Sequence, residues 1–207
     1  MIGPNVNILL IPDSFKGSLS SARLCTILKA VAQEVMPDAQ VTALPAADGG
    51  EGTLDMLRRA VGGAFVVNAR YLSAGDTAYI EMAEAAGLQH RLPGFNAANT
   101  TTFGVGQLCG EAINAGHRRL VLTMGGSCTA DAGCGMAAAL GARFIAPNGR
   151  PFIPTGDSLT AIRHMSLNPF FWNSGIQVEA LCDVTNPLCG PSVCAAKGGN
   201  PQGSRSD

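Results

Sequence analysis

The chain has 207 residues, 46% hydrophobic and 14% charged, with 26 glycines, 5% aromatics and a mean hydropathy of +0.20, which describes a turn-rich α/β protein and excludes a disordered one. A formal charge of −1, a pI near 6.3 and the lack of any Lys/Arg cluster exclude a surface built to track nucleic acid or an anionic membrane. Seven scattered cysteines, an odd number without zinc spacing, fit reduced thiols and a cytoplasmic location, and the apolar run 8–11 is too short for a signal peptide or a membrane span.

In chain order, residues 6–11 read as a strand ending at Pro12-Asp13-Ser14-Phe15-Lys16-Gly17-Ser18. Apolar residues then recur with helical spacing at Leu24, Ile27, Leu28, Val31 and Val35; Ser18 or Ser20 caps this helix and Pro37 ends it. Asp13 and Lys16 therefore stand at the carboxyl end of a strand, the side of an open parallel sheet where ligands bind, or else form an ordinary loop ion pair. The pattern repeats with a strand over 40–44, the turn Pro45-Ala-Ala-Asp48-Gly-Gly-Glu51-Gly-Thr53 and a helix over 54–61 stopped by Gly62-Gly63. Its two carboxylates suit substrate hydroxyls or Mg²⁺, or else Asp48 or Thr53 merely ties down the helix start.

A short strand near 64–67 follows, then a hairpin at Ala74-Gly75-Asp76 leading into residues 77–88, with Gly87 as a helix C-cap. Asn99-Thr100-Thr101-Thr102-Phe103-Gly104-Val105-Gly106 is another hydroxyl-rich and glycine-rich turn, and it feeds a helix near 107–115 ended by Gly116. The centre of the chain is Arg119-Leu-Val-Leu-Thr-Met124 running into Gly125-Gly126-Ser127-Cys128-Thr129-Ala130-Asp131 and an Ala-rich helix over 134–141. Strand and helix both lack charge beyond Arg119 and are expected to be buried. Two glycines and the positive end of a helix favour a bound anion such as a phosphate; alternatively Gly-Gly-Ser only turns the chain and Asp131 caps the helix. Beyond it the pattern gives a strand and loop over 142–149, a weak helix over 159–165, and a strand over 176–181 that ends in Cys182-Asp183-Val184-Thr185-Asn186-Pro187.

Asp-Ser-Phe-Lys-Gly-Ser at 13–18, Ala-Asp-Gly-Gly-Glu-Gly-Thr at 47–53, Thr-Thr-Thr with Gly-x-Gly at 100–106, Gly-Gly-Ser-x-Thr-x-Asp at 125–131 and Cys-Asp-Val-Thr-Asn-Pro-Leu at 182–188 together resemble the bacterial-type glycerate kinase family. The resemblance implies transfer of the γ-phosphoryl of ATP to a hydroxyl of D-glycerate, the 2-position favoured, with Mg²⁺. It also implies two parallel-sheet α/β lobes of flavodoxin-like or Rossmann-like type with a cleft between them. On that pattern residues 1–75 are the N-terminal part of a terminal lobe, 76–191 an incomplete inner lobe, and 192–207 a tail outside the family pattern. No Gly-x-x-x-x-Gly-Lys-Ser/Thr occurs, so the chain does not resemble a P-loop kinase.

Phosphoryl transfer needs an anion-binding backbone, a cation, a metal held by carboxylates and a base near the acceptor hydroxyl. Under the resemblance Gly125, Gly126, Ser127, Thr129 and Asp131 hold the nucleotide, Lys16 neutralises developing charge, and Asp183 with Asn186 or Asp131 handles Mg²⁺ or the acceptor. Asp13, Asp48 and Glu51 are competing carboxylates, and Thr101 is a further substrate contact. His90, His117 and His164 lie outside the motifs, so a carboxylate is the expected base.

The chain departs from the family pattern at Cys128, Ala130 and Ala132, where a glycine is common at 132 and an alanine strains the backbone if φ is positive. The resemblance implies that the second half of the family fold is missing after residue 191, which predicts open sheet edges, uncovered apolar faces, poor stability and weak or no activity. The rival readings are a remnant that keeps only nucleotide binding, and a dinucleotide or flavin oxidoreductase, disfavoured because no Gly-x-Gly-x-x-Gly follows the first strand.

Overall fold

The computed structural model describes residues 6–15, 18–47, 52–54, 56–57, 64–66, 71–87, 96–172 and 174–182. Its N-terminal unit is a βαβ crossover. β1 (Asn7–Leu10) and β2 (Gln40–Ala43) pair in parallel with Asn7 opposite Gln40, joined by α1 (Ser21–Val35). Ser20, in extended conformation, caps α1 by accepting from the Arg23 N–H at 3.3 Å, and the Met36 N–H closes the last turn on the Ala32 carbonyl before Pro37.

The helical stripe expected to be buried is covered only in part. Leu24 and Cys25 are buried against the strands with Val41, whereas Ile27, Leu28, Val31 and Val35 stay exposed. Leu9 and Ile11, which alternate away from α1, and Leu44 beside them are exposed as well. Parallel strands are ordinarily covered on both faces, so this unit lacks part of its packing among the described residues.

The main sheet begins with β3 (Ala64–Val66), β4 (Tyr71–Ala74) and β5 (Thr77–Glu81), antiparallel neighbours, and continues with β6 (Arg119–Thr123) parallel to β5. A small antiparallel sheet follows, in which β7 (Arg143–Ile145) lies between β8 (Pro151–Phe152) and β9 (His164–Ser166). The last strand, β10 (Gln177–Leu181), returns parallel to β6 and completes the order β10-β6-β5-β4-β3. Among the described residues β10 is an exposed edge strand, and Arg119 of β6 forks its guanidinium onto Glu179 of β10 with two contacts of 2.9 Å.

Gly75 turns the chain at φ 63 in the β4–β5 hairpin, so Ala64–Val66 and Tyr71–Ala74 share one sheet with β5 and β6. The core lies on one face of that sheet: Ala78, Ile80, Leu120 and Leu122 pack with Tyr71 and Met82 against Val105, Cys109 and Ala112 of α3 (Phe103–Asn114). Each large side chain buried there contributes about 1.5–3 kcal/mol. Alternation places Val121, Glu81 and Thr123 on the opposite face.

Two further expectations need correction. The Ala-rich helix, α4 (Cys134–Ala139), buries only Gly135, because it packs α3 along a single close seam: a Cβ on Gly106 would meet the Met136 carbonyl oxygen at 2.5 Å. The helix expected over 159–165 is a 3-10 turn over Gly156–Ala161 followed by strand β9, since β7 offers His164–Ser166 a pairing edge. The short α2 (Ala83–Ala86) ends at its C-cap Gly87, as expected, and the extended conformation of Gly87 lets it bridge to Ser127. A last helical turn, α5 (Pro169–Trp172), precedes β10. Among the described residues no helix is long and apolar enough to cross a membrane.

Candidate active site

β5, β6 and β10 end level with one another: Glu81 pairs with Thr123 and Thr123 with Leu181. Backbone bonds continue past the strand tips, from the Met82 N–H to the Thr123 carbonyl at 3.1 Å and from the Met124 N–H to the Leu181 carbonyl at 3.0 Å. The Gly125-Gly126-Ser127 turn leaves this edge. Gly126 takes φ 70, a conformation that glycine adopts without steric cost. The turn is pinned where the Cys128 N–H donates to the Ala86 carbonyl at 2.8 Å and the Cys128 thiol reaches the Gly87 carbonyl at 3.2 Å. Gly125, Gly126, Ser127 and Thr129 remain half-buried, open enough to meet a ligand.

The threonine run sits against the same turn. The Thr100 hydroxyl lies 2.8 Å from the Cys128 carbonyl and 2.9 Å from that of Ala97. Thr101 and Thr102 both donate to Asp131 Oδ2, at 3.2 and 2.9 Å from their hydroxyls, and the Thr102 N–H adds a bond of 2.7 Å. From the other side the Gly135 N–H donates to the same oxygen at 3.0 Å, and the Gly133 N–H to Oδ1 at 3.1 Å. Asp131 is 1% exposed. The carboxylate therefore occupies the amino ends of α3 and α4 itself, so the anion that the helix start favours is already in place as a side chain.

This starts α3 at Phe103, four residues earlier than the spacing indicates, and draws Thr101 into support of Asp131. Cys134, next to it, has its thiol pushed up by burial and then by the Asp131 charge, which disfavours a thiolate nucleophile.

Two N-terminal loops join through backbone contacts. The Ala46 N–H donates to the Pro12 carbonyl at 3.2 Å, setting the segment before Asp48 beside the loop of Asp13. Asp13 is exposed and accepts the Ser14 N–H at 2.6 Å. Beyond the glycine loop, the Leu54 N–H donates to Glu81 Oε2 at 3.2 Å, tying the start of that helical turn to the tip of β5. Lys16, Asp48, Glu51, Asp183 and Asn186 lie outside the described residues, as do residues 192–207. Among the described residues no group of three His, Cys, Asp or Glu side chains is arranged to hold a metal.

Glu81 and Thr123 were not among the residues that spacing singled out. The signal for Glu81 was present: it is a carboxylate ending an apolar strand, the same criterion that picked Asp13 and Asp183. Thr123 had no signal, because a threonine inside an apolar run reads as a strand former.

The Glycerate kinase family model matches residues 8–206. The chain belongs to the glycerate kinase family. It is 37% identical to the glycerate kinase of Bacillus subtilis (strain 168), over 98% of this chain and 57% of that protein. It is also 37% identical to the glycerate 2-kinase of Escherichia coli (strain K12), over 89% of this chain and 52% of that protein. A solved structure from Salmonella typhimurium LT2, assigned to glycerate kinase 2, superposes with a TM-score of 0.67 at 37% identity, covering 90% of this chain and 55% of that one. The mixed α/β fold of the family is thus present, and the chain spans about half the length of the relatives it matches.

Proposed function

We propose that this chain carries the nucleotide and acceptor loops of a glycerate kinase, which moves the γ-phosphoryl of ATP to a hydroxyl of D-glycerate, the 2-position favoured. One observation supports this above the others. Hydrogen bonds and strand pairings join the tips of β5, β6 and β10 through Glu81, Thr123, Met124 and Leu181, tie Leu54 to Glu81 and Thr100 to Cys128, and set Ala46 beside Pro12, so the threonine and glycine turns touch and the described residues flanking the other three motifs lie at strand ends.

In this reading the acceptor oxygen attacks the γ-phosphorus, the bond to the departing ADP oxygen breaks, and the acceptor proton passes to a carboxylate. The Gly125-Gly126-Ser127 backbone with Thr129 cradles phosphate, and Lys16 neutralises charge developing on the transferred group. Mg²⁺, when bound, supplies further charge neutralisation; Asp183 and Asn186 have the oxygen ligands it prefers. Asp13, Asp48 and Glu51 remain the carboxylates that compete for the acceptor. Asp131 serves the cradle from behind, as the support that fixes both helix starts, since its oxygens are taken by protein donors. The partner is a small molecule, and buried thiols at Cys25, Cys109 and Cys128 suit a cytoplasmic setting.

The cleft belongs to this reading too, with the β1–α1–β2 unit forming part of one wall. A second reading, an inactive remnant that retains phosphate binding, is favoured by the uncovered Leu9, Ile11, Val31 and Val35. Both readings are separated by a coupled assay for ADP release with and without D-glycerate. Glycerate-dependent release supports the kinase; nucleotide binding without release supports the remnant; neither one refutes both.

A further inference from the structure

The Thr123 hydroxyl, at the carboxyl end of the central strand β6, is fully buried and has no hydrogen-bond partner among the described residues. Its cross-strand neighbour on β5 is Glu81, 2% exposed, whose Oε2 accepts the Leu54 N–H at 3.2 Å. Parallel strands lie about 4.8 Å apart, so side chains at paired positions on one face are adjacent. An orphaned buried hydroxyl weakens the folded state, and a valine of the same shape would avoid that cost. Retention of the polar group at this place calls for a partner that arrives from outside.

The chemistry of the pair defines that partner. A threonine hydroxyl able to donate beside a carboxylate able to accept complements an alcohol, whose proton goes to the carboxylate while its oxygen receives the threonine proton. The location agrees: Thr123 directly precedes Met124 and the glycine turn, and pairs with Leu181, two residues ahead of Asp183. Resting on the kinase reading above, we infer that Thr123 and Glu81 form the seat for a hydroxyl of the small hydroxy acid. In the free chain the Glu81 carboxylate accepts the Leu54 N–H at 3.2 Å, at the long end of the normal range, and the ligand hydroxyl competes for that oxygen.

The test compares wild type with T123V and T123S, by thermal unfolding of the ligand-free proteins and by calorimetric titration with D-glycerate, D-lactate and 3-hydroxypropionate. The expected result is that T123V melts higher than wild type yet binds D-glycerate at least tenfold more weakly, while T123S keeps wild-type affinity. Of the two deoxy acids, the one lacking the seated hydroxyl binds wild type and T123V alike. A T123V chain that melts lower than or level with wild type, or binds D-glycerate equally well, overturns the seat and leaves the kinase reading standing. A wild-type chain that binds no D-glycerate overturns the kinase reading and the seat together.

Discussion

The Thr102 amide and hydroxyl both reach Asp131 Oδ2, at 2.7 and 2.9 Å, while the same hydroxyl accepts the Met136 N–H at 2.9 Å. Two residues 29 apart in the chain thereby lock the starts of α3 and α4 together, and the glycine turn between β6 and α4 is held at both ends. Replacing Asp131 by alanine strands several buried N–H and hydroxyl groups, so D131A is expected to lose about 3–5 kcal/mol in a urea titration. A loss below about 1 kcal/mol would show that water takes over the carboxylate's bonds.

Gly135 tests the same lock by size. A Cβ there would strike the Thr101 hydroxyl and come within 2.6 Å of the Phe103 amide nitrogen and 2.8 Å of Asp131 Oδ2. G135A is expected to cost about 2–3 kcal/mol, because backbone on one side and a bonded carboxylate on the other leave nothing to yield. Its unfolding midpoint, set beside that of G110A on the open side of α3, separates crowding from helix propensity.

Ala132 takes φ 52 as the non-glycine residue of positive φ among the described residues. The left-handed conformation costs a side-chain-bearing residue about 1–2 kcal/mol, of which glycine's larger unfolded-state entropy cancels part. A132G is therefore expected to stabilise the chain by about 0.5–1 kcal/mol. An unchanged or lower midpoint would mean that the Ala132 methyl makes contacts worth as much as the strain.

Burial pushes the Cys109 thiol up to about 12, against a local backbone bond that lowers it. The folded state thus resists ionisation that the unfolded chain undergoes near pH 9. The contribution of this group to stability is complete below that pH and is lost as the pH rises from about 9 toward 12. C109A should flatten the alkaline arm of the stability profile, and iodoacetamide at pH 8 should label Cys109 only in denaturant.

Lys16 is the charge on which the kinase reading depends most. K16M is expected to lower ADP release with D-glycerate by about 10²-fold or more while the unfolding midpoint stays near wild type. Equal turnover in the variant removes Lys16 from the mechanism.

Local pattern alone determined the strands β1, β2, β3, β6, β7 and β10, the helices α1, α3 and α4, a serine cap on α1, the Gly75 hairpin and the family, because alternation, helical spacing and glycine-bearing turns act over a few neighbouring residues. It also placed carboxylates and threonines at strand tips. Tertiary structure alone decided which of those groups are free to meet a ligand. Asp131 reads as an open ligand residue until α3 and α4 converge on it, and Glu81 and Thr123 acquire meaning only when β5 and β6 lie side by side. The physical reason is that hydrogen-bond satisfaction is a property of contacts made across tens of residues, and no local spacing records which donors a buried oxygen will find.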